Sequence, residues 1–330
     1  MKLINIEDKI FIAGHTGMAG SSIKRAFIKK GYQNLLLPNR KELDLTKSES
    51  VKKWFEENKP EVVIIAAAKV GGIDANFRYP TEFLLENLKI QNNVIENAFL
   101  NKAKRLLFLG SSCIYPKFAS QPIEEESLLS GDLEITNEAY AIAKIAGIKL
   151  CCYLKRQYNF DAISLMPTNL YGPNDNYHNT NSHVMPALIR KIYSAKINNE
   201  RLVTCWGTGN PRREFLHADD LADAVLFTLE NISKDSEEFF DANKKYLGFL
   251  NVGTGVDIKI RNLAELISEK INFKGEIIWD TSKPDGTPRK LLNISRIKRL
   301  GWEPKINIED GIEETVKNYK YELNAKKLRI

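Results

Sequence analysis

The sequence predicts an α/β fold: a doubly wound parallel sheet followed by a smaller C-terminal α/β lobe. Three observations carry this. Short β-type runs alternate with helical patterns through the first half of the 330 residues. Those runs are apolar on both faces, as strands covered by helices on both sides must be. After residue 169 the texture changes to isolated helices and short strands, separated by loops rich in Asn, Pro and Gly at 172–182, 207–211 and 285–287. A length of this size suits one large unit plus a smaller one. The expected division is 1–170 and 171–330, with possible exchange of chain back to the first unit.

In chain order, residues 9–13, 34–37, 62–66, 105–109 and 162–166 read as strands. Helical periodicity over 21–30, 48–58, 80–101 and 138–158, each followed by a turn or breaker, supplies the crossovers. The second half predicts helices at 184–195, 221–230, 263–271 and 308–323, and a basic tail, 324–330, that should fray. No internal repeat or low-complexity segment interrupts the pattern.

Composition narrows the function classes. Hydrophobic residues at 43% and charged residues at 27% describe an ordinary globular chain rather than a disordered or fibrous one. A net charge of +6 is a mild excess that suits an anionic small molecule and does not imply nucleic acid. Neither a signal peptide nor a stretch of 18 apolar residues is present, so the expectation is a cytoplasmic protein without membrane attachment. The four cysteines, Cys113, Cys151, Cys152 and Cys205, show neither metal-ligand spacing nor a disulfide framework; reduced thiols and no metal are expected.

The strand 9–13 runs directly into Gly14-His15-Thr16-Gly17-Met18-Ala19-Gly20 and then a helix, the context a dinucleotide fingerprint needs. Gly14 can turn sharply, Gly17 lets backbone approach a pyrophosphate, and Gly20 lets helix pack on strand, while the helix N-terminus supplies amides and positive dipole. The unit is therefore expected to be Rossmann-type. An acidic residue after the second strand would accept the ribose 2′-hydroxyl of NAD, but residues 35–41 contain none. Arg40 suits the 2′-phosphate of NADP instead, with a solvated loop as the alternative for Arg40 and Lys41.

Tyr140 and Lys144 stand four residues apart in a helical pattern, which puts phenol and ammonium on one face. Such a pair can do acid–base work if positive charge stabilises the phenolate. Ser111, just after the strand 105–109, lies where ligands bind in doubly wound sheets and can donate to a substrate carbonyl.

These segments, together with AAAKVGGI (66–73), LGSSCIYP (109–116), YAIAKIAGIKL (140–150), MPTNLYGP (166–173), NSHV (181–184), REFLH (213–217), NVGTGVD (251–257) and SKPDGTPRK (282–290), span nearly the whole chain. In them the sequence resembles the extended short-chain dehydrogenase/reductases and, within these, the GDP-L-fucose synthase family. The resemblance implies an NADP(H)-dependent homodimer that epimerises a GDP-4-keto-6-deoxy-sugar at C3 and C5 and then reduces C4. It implies a reductase triad of Ser111, Tyr140 and Lys144 and an epimerisation pair of Cys113 and His183. Cysteine can serve as base if its pKa is lowered toward neutrality, and histidine titrates there already. Sister dehydratases carry acidic residues where Ser112 and Cys113 stand, which argues against dehydration.

The implied cofactor site draws on Gly14, His15, Thr16, Gly17, Met18, Ala19 and Gly20, on Arg40 and Asp44, on Leu109, Gly110, Ser111 and Lys144, and on Pro167, Asn169, Leu170 and His183. The implied GDP-sugar site draws on Lys191, Trp206, Arg213 and Asp285, with Lys290 in the same segment as Asp285. Cations and a flat platform suit a nucleoside diphosphate. Trp206 could equally pack in the core, and Asp285 could accept from base or sugar or cap the turn before Gly286. Two positions depart from the family pattern: Thr16 where a basic residue is frequent, and Lys191 in place of arginine. Two other readings stay open, a reductase or epimerase for a related GDP-4-keto sugar such as a 6-deoxyheptose, and a cofactor-bound sensor or scaffold without turnover.

Overall fold

The computed structural model describes residues 2–283 and 285–330, and every side chain among them except that of Ile73. The first half alternates as the hydrophobic pattern requires: β1 (Ile10–Ala13), α1 (Met18–Lys29), β2 (Leu35–Leu36), α2 (Ser48–Asn58), β3 (Val62–Ile65), α3 (Ile73–Arg78), α4 (Pro80–Leu100), β4 (Arg105–Leu109), α5 (Glu138–Tyr158) and β5 (Ala162–Pro167). The chain continues through β6 (Asn169–Tyr171), α6 (Val184–Ile197), β7 (Leu202–Trp206), β8 (Arg212–His217), α7 (Ala218–Asn231) and β9 (Phe249–Val252). It closes with β10 (Asp257–Lys259), α8 (Ile260–Ile271), β11 (Glu276–Asp280), β12 (Arg289–Lys290), α9 (Ser295–Arg299) and α10 (Ile308–Asn324).

Six strands form one parallel sheet in the order β2-β1-β3-β4-β5-β9. Every residue of β1, β3, β4 and β5 is buried, which is why these runs are apolar on both faces. Helix α4 packs against α2 and α5, and α1 packs against α7. The strand order reverses direction beside β1, so a crevice opens at the carboxyl ends of β1 and β3, the place where such sheets hold ligands. Beyond residue 170, α7 and β9 belong to this first layer structure, and the main core includes Leu216, Val225 and Phe249 beside Ile12 and Phe108. A second core gathers α6, α8 and α10 around Ile189, Ile267 and Val316, over the sheet β10-β8-β12 and the parallel pair β7–β11.

Several element boundaries differ from expectation for local reasons. Helix α1 starts at Met18, ahead of the predicted 21, because Gly17 adopts the extended conformation of an N-cap (φ −78°, ψ 170°). Helix α7 starts at Ala218 because the His217 ring accepts the Asp219 amide at 3.3 Å. The six-residue α3 is too short to show a periodicity. The tail does not fray as predicted. Lys326 turns the chain (φ +54°), Lys327 N–H donates to Glu322 O at 2.9 Å, Leu328 packs on the second core, and Arg329 O accepts Tyr177 N–H at 2.8 Å.

Candidate active site

The glycine turn is built by close approach. Gly14 has φ +87°, and a Cβ there would lie 2.7 Å from the Ala67 backbone, where β1 and β3 end side by side. A Cβ on Gly20 would lie 2.1 Å from Gly14 O, so only glycine lets α1 start this near the turn. Gly17 N–H donates to Gly14 O at 3.0 Å, yet a Cβ on Gly17 would meet nothing nearer than 3.5 Å. Helix α1 has no side-chain cap and no acidic residue in its first turn, so its amides and dipole face the crevice. This cradle fits a dinucleotide pyrophosphate. His15 is held below its ordinary pKa by burial and by Lys24, so its ring is neutral. Arg40 is exposed on the loop after β2. Hydrogen bonds from Thr46, at 3.0 Å from N–H and 2.8 Å from Oγ1, hold the Asp44 carboxyl low, with Arg40 and Lys47 adding to the effect.

The sheet brings Leu109, Gly110 and Pro167 to the same edge as the turn, because β4 and β5 run parallel in register with β3 and β1. A Cβ on Gly110 would lie 2.3 Å from Met166 Sδ, so a side chain here would require the Met166 terminus to move. Asn169 directs its side-chain amide to Glu214 O at 2.8 Å.

Just past β4, Ser111 is extended and its Oγ accepts the Cys113 amide at 3.4 Å. Lys144, on α5, is buried; its Nζ donates to Leu109 O at 2.8 Å and lies 5.7 Å from the Tyr140 ring centroid. Burial pulls this ammonium down to about 8, partly opposed by Cys113. Burial also pushes the Tyr140 phenol well up, with Cys113 adding to it. Tyr140 is thus protonated at neutral pH, the form a proton donor needs. Cys113 at rest does not meet the condition set for a base. Burial raises its thiol pKa and outweighs the opposing pull of Lys290, Ser111 and Lys144, so the group rests as a thiol rather than as a thiolate near neutrality.

His183 caps α6 on a separate support: Gly72 N–H donates to Asn181 O at 2.9 Å, and a Cβ on Gly72 would overlap Ser182 O at 2.6 Å. His183 is exposed at the start of α6, and the protein packed around its ring lowers its pKa and favours the neutral form. It makes no hydrogen bond to Cys113, Tyr140 or Lys144 among the described residues.

Toward the second core, Trp206 is 64% exposed at the end of β7, which removes the core-packing alternative. The ammonium groups of Lys191 and Lys283 lie 6.0 and 5.7 Å from its ring. Lys191 also donates to Thr204 O at 3.1 Å. Both Asp285 oxygens are engaged by Thr208, from N–H and from Oγ1 at 2.7 Å each, and a Cβ on Gly207 would lie 2.3 Å from Oδ1. Asp285 therefore pins the 207–209 loop. Arg213 on β8 stands in register with Lys290 on β12, and Lys290 lines one small cleft together with Cys113 and Glu134. Burial lowers the pKa of both cations; Glu134 and Asp285 offset this for Arg213, and Cys113 does so first for Lys290.

Sequence reasoning missed Lys283, although it lies within the 282–290 segment, and it missed Glu214. That carboxylate is fully buried and accepts amides of Thr254 and Gly255 at 2.7 Å and of Leu292 at 3.0 Å. It ties the motif 213–217 to the motif 251–257 and to the chain just after the segment 282–290. Set among Arg212, Arg213 and His217, it gave no signal of burial in the sequence.

The profile of the NAD dependent epimerase/dehydratase family matches residues 10–241. GDP-L-fucose synthase 1 of Arabidopsis thaliana is 54% identical over 307 residues, 93% of this chain and 91% of that protein. GDP-L-fucose synthase of Escherichia coli is 50% identical over 309 residues, 94% of this chain and 95% of that one. A GDP-D-glycero-L-gluco-heptose synthase from Campylobacter jejuni, solved in the presence of NADPH, superposes with a TM-score of 0.89 at 38% identity, covering 96% of this chain and 99% of that one.

Proposed function

The chain belongs to the NAD dependent epimerase/dehydratase family, and from that membership we propose that it converts GDP-4-keto-6-deoxy-D-mannose to GDP-L-fucose. The conversion takes two stages, 3,5-epimerisation and then NADPH-dependent reduction of the 4-keto group. The observation that carries this reading is Cys113: a ketone reductase needs Ser111, Tyr140 and Lys144, and a thiol within electrostatic reach of Tyr140 and Lys144 is surplus to reduction alone.

The ketone makes the protons on C3 and C5 acidic. The hydroxyls of Ser111 and Tyr140 hold O4 while negative charge collects there. Cys113 and His183 exchange the carbon-bound protons. At rest they are a thiol and a neutral imidazole, so the pair holds one group able to give a proton and one able to take it. NADPH, when bound, supplies hydride to C4. Tyr140 then gives its proton to O4, and the Lys144 ammonium stabilises the phenolate left behind. Trp206, Lys191 and Arg213 provide the platform and cations for the GDP moiety.

Tyr140→Phe is expected to abolish reduction while deuterium still enters C3 and C5 from solvent. Cys113→Ser is expected to block that exchange. Exchange at the normal rate in Cys113→Ser would remove the thiol from the mechanism. The likeness to the heptose synthase favours one second reading, a GDP-4-keto-heptose as substrate, and product NMR with both sugars separates the two. Homodimerisation through α4 and α5 is supported by exposed Leu85, Ile142 and Tyr153 on these helices. A cytoplasmic setting is supported by four free, buried cysteines, and among the described residues no helix is long and apolar enough to cross a membrane.

A further inference from the structure

The C-terminal segment reaches the glycine turn. The Arg329 guanidinium Nη1 lies 3.6 Å from where a Cβ on Gly17 would be, over the one glycine of the turn at which a Cβ would meet only ordinary contacts. From the geometry we infer that Arg329 is a ligand of the dinucleotide pyrophosphate, delivered to the cofactor crevice by the folded-back tail. This rests on the reading of the turn as a nicotinamide dinucleotide site.

Three features support it. First, the turn lacks a cation of its own. Residues 14–20 contain only His15 as a basic side chain, and that ring is neutral. Within the turn itself only amide dipoles would otherwise face two phosphate charges, and a guanidinium fork matches phosphate oxygens two at a time.

Second, the arginine is positioned rather than loose. Helix α10 ends at Asn324; the left-handed Lys326 reverses the chain, and Lys327 N–H returns to Glu322 O at 2.9 Å. Leu328 is half-buried against the second core, and Tyr177 N–H holds Arg329 O at 2.8 Å. The same 174–177 loop touches α1 directly, since Asn174 Nδ2 donates to Ser21 Oγ at 3.1 Å.

Third, the guanidinium donors are uncommitted: the side chain is exposed and makes no hydrogen bond or ion pair among the described residues. The nearby carboxyl of Asp175 is buried, accepts the Asn176 amide at 2.7 Å through Oδ1, and leaves Oδ2 without a partner. Burial pushes this carboxyl up to about 7, with Arg329 pulling it down and Glu322 opposing that pull. The guanidinium is thus kept beside the crevice by the backbone anchor at Tyr177, next to an acid but outside any closed salt bridge.

The test is a fluorescence titration of NADPH, and separately of NADH, into the full chain, Arg329→Ala, Arg329→Lys and Lys327→Ala. Arg329→Ala should weaken both cofactors by a similar factor, about tenfold, as expected for loss of a charge-assisted pair at a partly open site. Arg329→Lys should recover part of this, and Lys327→Ala, which removes one charge from the same tail, should stay within about twofold of the unaltered protein. Unchanged affinity in Arg329→Ala overturns the inference, as does tighter binding, which would make the tail a plug. Weakening of NADPH alone also overturns it, because the arginine would then read the 2′-phosphate. Failure of the unaltered chain to bind either cofactor would instead refute the dinucleotide reading of the turn, and the inference with it.

Discussion

Gly17 and Gly20 sit three residues apart in one turn, but the space around them separates a binding role from a folding role. In Gly20→Ala the new methyl would lie 2.1 Å from Gly14 O and 2.6 Å from Gly14 C. These are backbone atoms that cannot rotate away. Forcing an extra methyl into packed structure costs up to about 3 kcal/mol. Replacing glycine inside a helix returns about 1 kcal/mol. The net loss is about 2 kcal/mol, which lowers the melting temperature by about 3 °C for a chain of this length. In Gly17→Ala the nearest atoms are Gly14 O at 3.5 Å and Arg329 Nη1 at 3.6 Å, ordinary contact distances. The fold should lose less than about 1 kcal/mol from a poorer N-cap. The methyl would nevertheless stand on the surface that phosphate must approach, so NADPH binding should weaken by about tenfold or more. Thermal denaturation of the apo-protein and fluorescence titration with NADPH read the two effects separately. Unaltered NADPH affinity in Gly17→Ala, or a wild-type melting temperature in Gly20→Ala, would refute this division.

Two further outcomes follow from the buried charges. Burial lowers Lys144 to about 8, so it is charged below that pH and neutral above it; the rate of keto reduction should fall as pH rises through 8. Lys144→Arg, which keeps its charge, should move this limb upward, and a limb that stays in place in a pH–rate profile would assign it to another group. Glu214→Ala would strand the amides of Thr254, Gly255 and Leu292, for a loss of about 3 kcal/mol or more in urea denaturation; a loss below about 1 kcal/mol would mean that solvent replaces the carboxylate.

What could be read from sequence was local. Helix α5 matches its predicted span at both ends because its apolar period runs to Tyr158 and Asn159 stops it in a left-handed conformation (φ 56°). The glycine turn was legible because contiguous spacing encodes it, and the Tyr140–Lys144 pair because one helix face does. Other features depend on chain segments far apart and left no such trace. Glu214 looks like a surface acid until β8 is seen between β10 and β12. Lys283 acquires meaning only beside Trp206, and Asp285 only beside Thr208. The tail, polar and terminal, was expected to be loose because its anchors, Tyr177 and Glu322, are invisible in its own composition. The resting state of Cys113 was open for a related reason: its use as a base was conditional on a lowered pKa, and the depth of burial that raises it cannot be read from sequence.

The final strand of the parallel sheet, β9, pairs with β5 although more than eighty residues separate them in the chain. During synthesis the outer margin of β5 therefore stays bare until residues 249–252 arrive, and an emerging polypeptide that stalls earlier offers a ready template for foreign strands. A gene cut near residue 170 would accordingly yield an insoluble fragment in place of a free-standing nucleotide-binding module.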